Sequence, residues 1–95
     1  MPDQAFDELL ERLKEESKDE GRIHLLQEAA KTQAFTISQL LAVTDTFDVT
    51  NGKLSAVETL RDRVVDKKNV AKLYERFRTD ADRKRAKQIM DGAAK

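Results

Sequence analysis

One segment of the chain superficially matches a calcium-binding loop. Gly52 and Glu58 have the spacing of the glycine and the bidentate glutamate at EF-hand loop positions 6 and 12. In that register positions 1 and 3 fall on Phe47 and Val49, which carry no side-chain oxygen. Because a calcium ion would lose two ligands at once, the sequence argues against calcium binding here.

His24 is the only histidine, and the chain contains no cysteine. Cysteine zinc sites, iron–sulfur clusters and thiolate nucleophiles are therefore excluded. Glu20 and Glu28 lie four residues on either side of His24, but on a helix these three form only an exposed cluster with too few ligands for a metal. We expect His24 on the surface, and the sequence predicts no metal and no cofactor.

Catalytic residues are not apparent either. Ser17, Ser38 and Ser55 lie near predicted helix ends, where capping explains them. Carboxylate pairs such as Asp7 and Glu11 fall on predicted solvated faces, where no burial raises a pKa. No glycine-rich phosphate-binding loop occurs. The sequence therefore predicts that the protein is not an enzyme.

A basic cluster in the C-terminal third is the strongest indication of a binding surface. Its members are Arg76, Arg78, Arg83, Lys84, Arg85 and Lys87. Proteins that bind nucleic acids or acidic lipids concentrate positive charge in this way. However, Asp80 and Asp91 lie four residues from Lys84 and Lys87, the spacing of ion pairs within a helix. We favour a solvated face over a polyanion site.

The chain has no net charge, but its two parts differ in sign. Residues 1–60 contain 6 Lys and Arg against 12 Asp and Glu, whereas residues 61–95 contain 12 against 6. Attraction between early acidic helices and late basic ones would stabilise the fold modestly and would be screened by salt. The alternative is an acidic or phosphate-bearing partner for the C-terminal part.

Apolar residues recur at helical spacing along most of the chain, which has only three Gly and one Pro. The predicted helices begin near Asp3, near Asp19, at Thr36, after the loop 48–52, near 66–69 and after 78–80. For the starts we predict Asp19 as an N-cap, a capping box between Thr36 and Gln39, and Asp66 or Asn69 as the cap of helix five. Gly92 is the predicted C-cap of the last helix.

A faint repeat of about 30 residues accompanies these helices. Gly21-Arg22-Ile23 matches Gly52-Lys53-Leu54, and two units end in Phe47 and Phe77, which we expect in the core. At 95 residues the chain fits a single helical domain over 1–95. The predicted fold class is all-α, with five to six short helices in a compact bundle or a short α–α superhelix of helical hairpins.

Over roughly residues 6–90 the sequence resembles the domain-of-unknown-function family numbered 4476. The residues that carry the resemblance include Phe35-Thr-Ile-Ser-Gln-Leu-Leu41, Asp66-Lys-Lys-Asn69 and Asp82-Arg83. It implies a helical module of about this length, often at the end of longer, frequently exported bacterial chains and also in some animal proteins. It implies no established activity and no catalytic residues.

The predicted function is a non-enzymatic, monomeric helical module that binds another protein, either in a groove between helices or along the late basic surface. The alternative is a weak nucleic-acid or acidic-lipid binder that uses the basic cluster. A concave apolar patch would favour the first and retention on heparin the second. With neither a signal peptide nor a transmembrane run in the sequence, we expect a cytoplasmic chain, or an exported parent protein if the domain has been excised.

Overall fold

Six α-helices follow one another along residues 1–92, the part of the chain that the computed structural model describes. They are α1 (Asp3–Glu15), α2 (Asp19–Ala30), α3 (Ile37–Thr44), α4 (Thr50–Leu60), α5 (Ala71–Tyr74) and α6 (Asp80–Gly92). Two single 3₁₀ turns, Arg61–Arg63 and Lys67–Asn69, lie between α4 and α5. The predicted all-α class is confirmed, although α5 is a single turn.

Helices that are consecutive in sequence pack in pairs, α1 with α2, α3 with α4 and α5 with α6. The pairs are joined through α4, which also contacts α2 and α6, and through α3, which also contacts α1 and α5. Each pair buries its apolar faces against its neighbours, as helical hairpins in small bundles do. Helix α4 therefore lies at the centre of the fold.

The apolar core draws on all six helices and on the loops between them. Its largest fully buried side chains are Phe35, Phe47, Leu13, Leu26, Ile37, Leu40, Leu60 and Leu73. The Phe6 and Phe35 rings meet edge to face with their centroids 6.4 Å apart. Phe47 is 1% exposed and Phe77 3%, which confirms that both are core residues. Burying each such side chain stabilises the fold by about 1.5–3 kcal/mol.

The repeat seen in the sequence is present in the structure. Helices α2, α4 and α6 begin at residues 19, 50 and 80, and a buried phenylalanine precedes each of the last two. In the first two units a basic side chain donates to a backbone carbonyl nine residues earlier, at the end of the preceding helix. Arg22 bonds to Leu13 O at 3.0 Å and Lys53 to Thr44 O at 2.9 Å. These cations satisfy carbonyls that a helix end leaves without partners.

The α3 N-terminus shows the predicted capping box. The Gln39 backbone N–H donates to Thr36 Oγ1, and the Thr36 N–H donates to Gln39 Oε1, each at 3.1 Å. Two other cap predictions are wrong. Asp19 is the first residue of α2, after Lys18 at the N-cap position, and makes no cap hydrogen bond. Gly92 still belongs to α6, and no glycine in residues 1–92 has a positive φ.

Asp66 caps a different helix from the one predicted. Its Oδ1 accepts the Ile37 backbone N–H of α3 at 2.7 Å, and its Oδ2 accepts the Asn69 side-chain amide at 2.8 Å. Burial raises the pKa of the carboxyl, but these hydrogen bonds to the charged form outweigh burial and the net shift is downward. Its stabilising effect is therefore present above the ordinary Asp pKa and is lost as pH falls through the lowered value.

The loops before α3 and before α5 are also joined through their backbones. The Phe35 N–H donates to Arg63 O at 2.7 Å, and the Val65 N–H donates to Phe35 O at 2.9 Å, which forms an isolated parallel bridge between Phe35 and Val64. With the Asp66 cap, these bonds hold residues 35–37 against 63–66. They connect segments about 30 residues apart in the chain.

Gly52 allows the first turn of α4 to approach α2 closely. A Cβ at this position would lie 2.7 Å from Asp19 Oδ2 and 2.9 Å from ring atom Cδ2 of Phe47. We therefore expect Gly52→Ala to lower the free energy of unfolding by about 1–3 kcal/mol, because overpacking outweighs the helix propensity gained. Urea denaturation followed by circular dichroism measures this.

Gly21→Ala is the matched control, because Gly21 is likewise the third residue of its helix. There the added methyl group meets the flexible side chain of Glu16. We expect a change within about 0.5 kcal/mol or a small gain. Equal effects at the two glycines would contradict the proposed close approach.

Candidate functional site

The structure spreads the predicted basic cluster over the loop between α5 and α6, which contains Arg76 and Arg78, and over α6 itself. Three of its members have partners. Arg76 contacts the Asp45 carboxylate at the end of α3 (2.6 Å), Arg83 pairs with Asp80 (3.1 Å), and Arg85 makes a long hydrogen bond to Asn51 Oδ1 (3.4 Å). Half of the cluster thus contacts neighbouring groups of the same chain.

The other three members, Arg78, Lys84 and Lys87, are exposed. Within residues 1–92 their side chains form no ion pair or hydrogen bond, so the expected pairs of Lys84 and Lys87 with aspartates of α6 are not seen. Arg76 and Arg78 line a cavity of about 480 Å³ whose walls also include Lys53, Asp48 and Asp82. Charges of both signs alternate there, which does not favour a phosphate backbone.

Neither residue pattern considered for metal binding forms a ligand cluster. His24 is exposed on α2, as expected. In the calcium-like segment Phe47 is buried, and Gly52 and Glu58 lie within the continuous helix α4, so the chain there does not form a looped cage. In the described part of the chain no three His, Cys, Asp or Glu residues come together as metal ligands would.

A concave surface lies between α1 and α2. It is a groove of about 800 Å³, within the range of ligand and peptide sites. The residues that line it are Met1, Ala5, Glu8, Leu9, Glu11 and Arg12 from the α1 side and His24, Leu25, Glu28, Ala29 and Gln33 from the α2 side. We refer to this surface as the α1–α2 groove.

Apolar residues make up the floor of the α1–α2 groove. Ala5 and Leu9 lie four residues apart and so share one face of α1, and Met1, which precedes the helix, also lines the floor. Leu25 and Ala29 form a matching row on α2. All five except Leu9 are only partly buried, so solvent reaches apolar surface along the groove.

Charged residues form the rims of the α1–α2 groove. Glu8 and Glu11 are exposed. Neither side chain makes an ion pair or hydrogen bond within the described residues, and Glu8 does not pair with Arg12, which lies four residues later. Glu28 pairs with Lys31 at 2.6 Å. That hydrogen bond and the charge of Lys31 lower the pKa of Glu28. Within residues 1–92 the α1 rim therefore carries two unpaired carboxylates, Glu8 and Glu11, next to one unpaired cation, Arg12, and its net charge is negative.

A smaller groove of about 560 Å³ lies on the other side of α2, facing α4. Asp19, Glu20, Ile23 and Val49 are among the residues that line it, and His24 borders both grooves. Val49 is one of two large hydrophobic residues that are clearly exposed in the described part, at 55%.

None of the described helices is both long and apolar enough to cross a bilayer.

Sequence reasoning did not identify the α1–α2 groove. It predicted one apolar stripe on each early helix, facing the core, and Leu13 and Leu26 are indeed fully buried. Ala29 was predicted on the core stripe of helix two with Leu26, and the signal that was missed is Leu25, an apolar residue next to Leu26 and four residues before Ala29. A helix with apolar residues on two adjacent faces has more apolar surface than one core contact covers.

One of the comparisons with known proteins identifies a family for this chain. A family model described as "Domain of unknown function (DUF4476)" matches residues 1–90 of the 95-residue chain. No curated protein and no solved structure matches the chain. The resemblance noted from the sequence is thereby confirmed, and it brings no activity, ligand or site residue with it. Since the match covers nearly the whole sequence, the chain belongs to the DUF4476 family.

Proposed function

We propose that this domain is a non-enzymatic, monomeric protein-interaction module that binds another protein in the α1–α2 groove. The observation that carries the proposal is the partly exposed apolar floor of a groove of about 800 Å³. Apolar surface that stays open between two helices and is bordered by charged residues is typical of surfaces that bind other proteins.

The ionisable groups of the groove support binding over catalysis. Glu8, Glu11, Arg12 and His24 are all exposed. A catalytic acid or base is normally tuned by burial or by a close charged neighbour, and a nucleophile needs a base within hydrogen-bond reach. In the groove Glu28 has a charged neighbour, Lys31, but this contact lowers its pKa and makes it a weaker base. None of the lining residues is a serine, threonine, lysine or tyrosine that could act as a nucleophile, whereas the shape and apolar floor of the groove suit a side-chain interface.

The substitution pair Ala5→Gln and Ala29→Gln tests the groove. Glutamine is a good helix former and leaves the net charge unchanged, so the double variant should fold while it fills the floor with polar groups. Immobilised wild type, the double variant and a basic-cluster variant, R83Q/K84Q/K87Q, would be exposed to cell extract and the retained proteins quantified by mass spectrometry.

A protein retained by wild type and by the basic-cluster variant, but not by the groove variant, supports the proposal. Retention that is lost only in the basic-cluster variant contradicts it and favours the late basic surface. Circular dichroism and urea unfolding of all three proteins establish that the differences do not arise from loss of fold.

A second candidate function is weak binding of nucleic acid or acidic lipid. The observation in its favour is that Arg78, Lys84 and Lys87 have no side-chain partner within residues 1–92. Against it, α6 also carries three aspartates, close in sequence to Arg78, Lys84 and Lys87, which repel phosphates, namely Asp80, Asp82 and Asp91.

We expect no micromolar binding of wild type to DNA, RNA or anionic vesicles at physiological salt. Fluorescence anisotropy and vesicle co-sedimentation measure it. We also expect R83Q/K84Q/K87Q to lower the free energy of unfolding by no more than about 1 kcal/mol, and less as salt is raised, because exposed ion pairs are weak and screened. Salt-sensitive micromolar binding that this triple variant abolishes would establish the polyanion function instead.

A further inference from the structure

We infer that the occupant of the α1–α2 groove is a basic amphipathic helix of a partner protein, with an apolar stripe bordered by Lys and Arg. The inference rests on the proposed function and names the chemistry of the partner. Three features carry it, namely the length and direction of the apolar floor, the unpaired carboxylates on its rim, and the unsuitability of α6, the basic helix of the described residues, as an occupant.

The apolar floor of the groove is elongated, as the binding site of a helix is. Its α1 wall runs from Ala5 to Arg12, which at 1.5 Å per residue is about 10 Å or two helical turns, and Met1 extends it beyond the start of the helix. Its two rows of apolar side chains would lie on either side of the occupant's apolar stripe. Residues of that stripe at i, i+3, i+4 and i+7 would then fill the space between the rows.

The helical walls of the α1–α2 groove exclude strand addition, another common mode of peptide binding. An extended strand gains its affinity by pairing with the free backbone edge of a sheet. Both walls of this groove are helices, α1 and α2, whose backbone groups bond within each helix. The groove therefore offers side chains only, which suits an occupant that satisfies its own backbone as a helix does.

The charge around the groove selects a basic partner. Residues 1–33, which include both walls, contain nine Asp and Glu against five Lys and Arg. Glu8 and Glu11 on the rim have no partner of their own within the described residues, so a Lys or Arg beside the stripe can pair with them without breaking an existing contact. Such rim pairs contribute mainly to specificity and to the association rate.

A second copy of this chain is a poor occupant, although α6 is basic. The outward side chains of α6, Lys84, Arg85 and Gln88, are polar, whereas Ala86 and Met90 are buried in its own fold. Docking α6 into the groove would pair charges but leave the apolar floor uncovered. The partner helix must provide both an apolar stripe and basic flanks.

The test is a selection from a displayed library of helical peptides of about 18 residues. Apolar residues are fixed at i, i+3, i+4 and i+7, and the flanking positions are randomised among Lys, Glu and Gln. Peptides are selected on wild type and counter-selected on the folded Ala5→Gln/Ala29→Gln variant. We expect Lys to be enriched at the flanking positions and the selected peptides to bind at least tenfold more tightly than their Gln-substituted versions.

Charge-reversed variants identify the groups responsible. Glu8→Lys/Glu11→Lys should weaken the selected peptides at least tenfold and shift the preference of the library toward Glu. Asp7→Lys/Glu15→Lys is the matched control, since it makes the same charge change on the same helix with residues that do not line the groove. We expect that control to retain binding within about threefold, the residual effect being long-range and screened by salt. Equal loss in both variants overturns the assignment to Glu8 and Glu11.

The outcomes separate this inference from the proposed function. Enrichment of Glu or Gln flanks overturns the basic partner but leaves the groove as a helix-binding site. Failure to enrich any peptide overturns the helical partner, while groove-dependent capture of a cellular protein would still support the module. Self-association of wild type in sedimentation equilibrium that the groove variant abolishes shows a second copy as the occupant and overturns the inference.

Discussion

Replacing Phe47 by alanine lowers the free energy of unfolding by about 3–5 kcal/mol, the range for removing a buried aromatic ring. The ring is 1% exposed, and it lies beside Gly52 where α2 and α4 approach each other. It also faces the Arg22 guanidinium, 5.8 Å from the ring centroid. Its removal thus leaves a cavity and takes away a cation–π contact. Chemical denaturation at constant pH measures the loss.

Phe77→Ala tests whether the second repeated position is equivalent. Its ring is 3% exposed and likewise lies three residues before a helix of the repeat, so we expect a loss in the same range of about 3–5 kcal/mol. Val49→Ala is the control, because that side chain is 55% exposed and should change stability by about 0.5 kcal/mol or less. A loss below about 1 kcal/mol at either phenylalanine would mean that its ring does not belong to the core.

The features that could be predicted from the sequence are those that depend on neighbouring residues. The capping box joins Thr36 to Gln39, three positions apart, and both partners are visible in the sequence. The buried stripes follow helical spacing, which is also local. The repeat was visible because it returns the same residue types, Gly-Arg and Gly-Lys, at the start of α2 and α4.

The features that could not be predicted depend on distant contacts. Asp66 looks like the cap of the helix that follows it, but the fold brings the α3 N-terminus to within 2.7 Å of its carboxylate, 29 residues away in sequence. Asp19 looks like an N-cap, but its carboxylate receives the Arg22 guanidinium instead. A polar side chain satisfies the nearest unpaired donor in space, and sequence distance does not determine which donor that is.

In the candidate site, too, local features could be predicted from the sequence and features that depend on distant contacts could not. The basic cluster was visible because its charges are close in sequence, yet the structure spreads it and pairs half of it. The α1–α2 groove was not visible, because its two rows come from different helices and are adjacent only after the hairpin forms. The spacing of one helix cannot show that its second apolar row stays open in the folded chain.

Arg22 lies at a nearly buried position where several elements meet. Its side chain is 11% exposed. Its Nε donates to Leu13 O at 3.0 Å at the end of α1, and its Nη1 donates to Asp19 Oδ1 at 2.7 Å. One planar guanidinium therefore bonds to α1 and α2 and lies over the Phe47 ring that packs against α4. A lysine ammonium at this place could make the first bond but could not reproduce the forked geometry or the stacking.

We therefore expect Arg22→Ala to lower the free energy of unfolding by about 2–4 kcal/mol, since it removes charge-assisted hydrogen bonds from a nearly buried site and leaves the Leu13 carbonyl without its donor. Arg22→Lys should recover about half of that loss, because Lys53 shows that an ammonium can cap the same carbonyl position in the second unit, at 2.9 Å from Thr44 O. Arg83→Ala is the control from the third unit, where the arginine forms an ion pair with the fully exposed Asp80 that is worth no more than about 1 kcal/mol. Urea unfolding of the three variants measures these differences. Equal losses for Arg22→Ala and Arg83→Ala would show that the charge alone matters and that the contacts of Arg22 with Leu13 and Phe47 do not stabilise the fold.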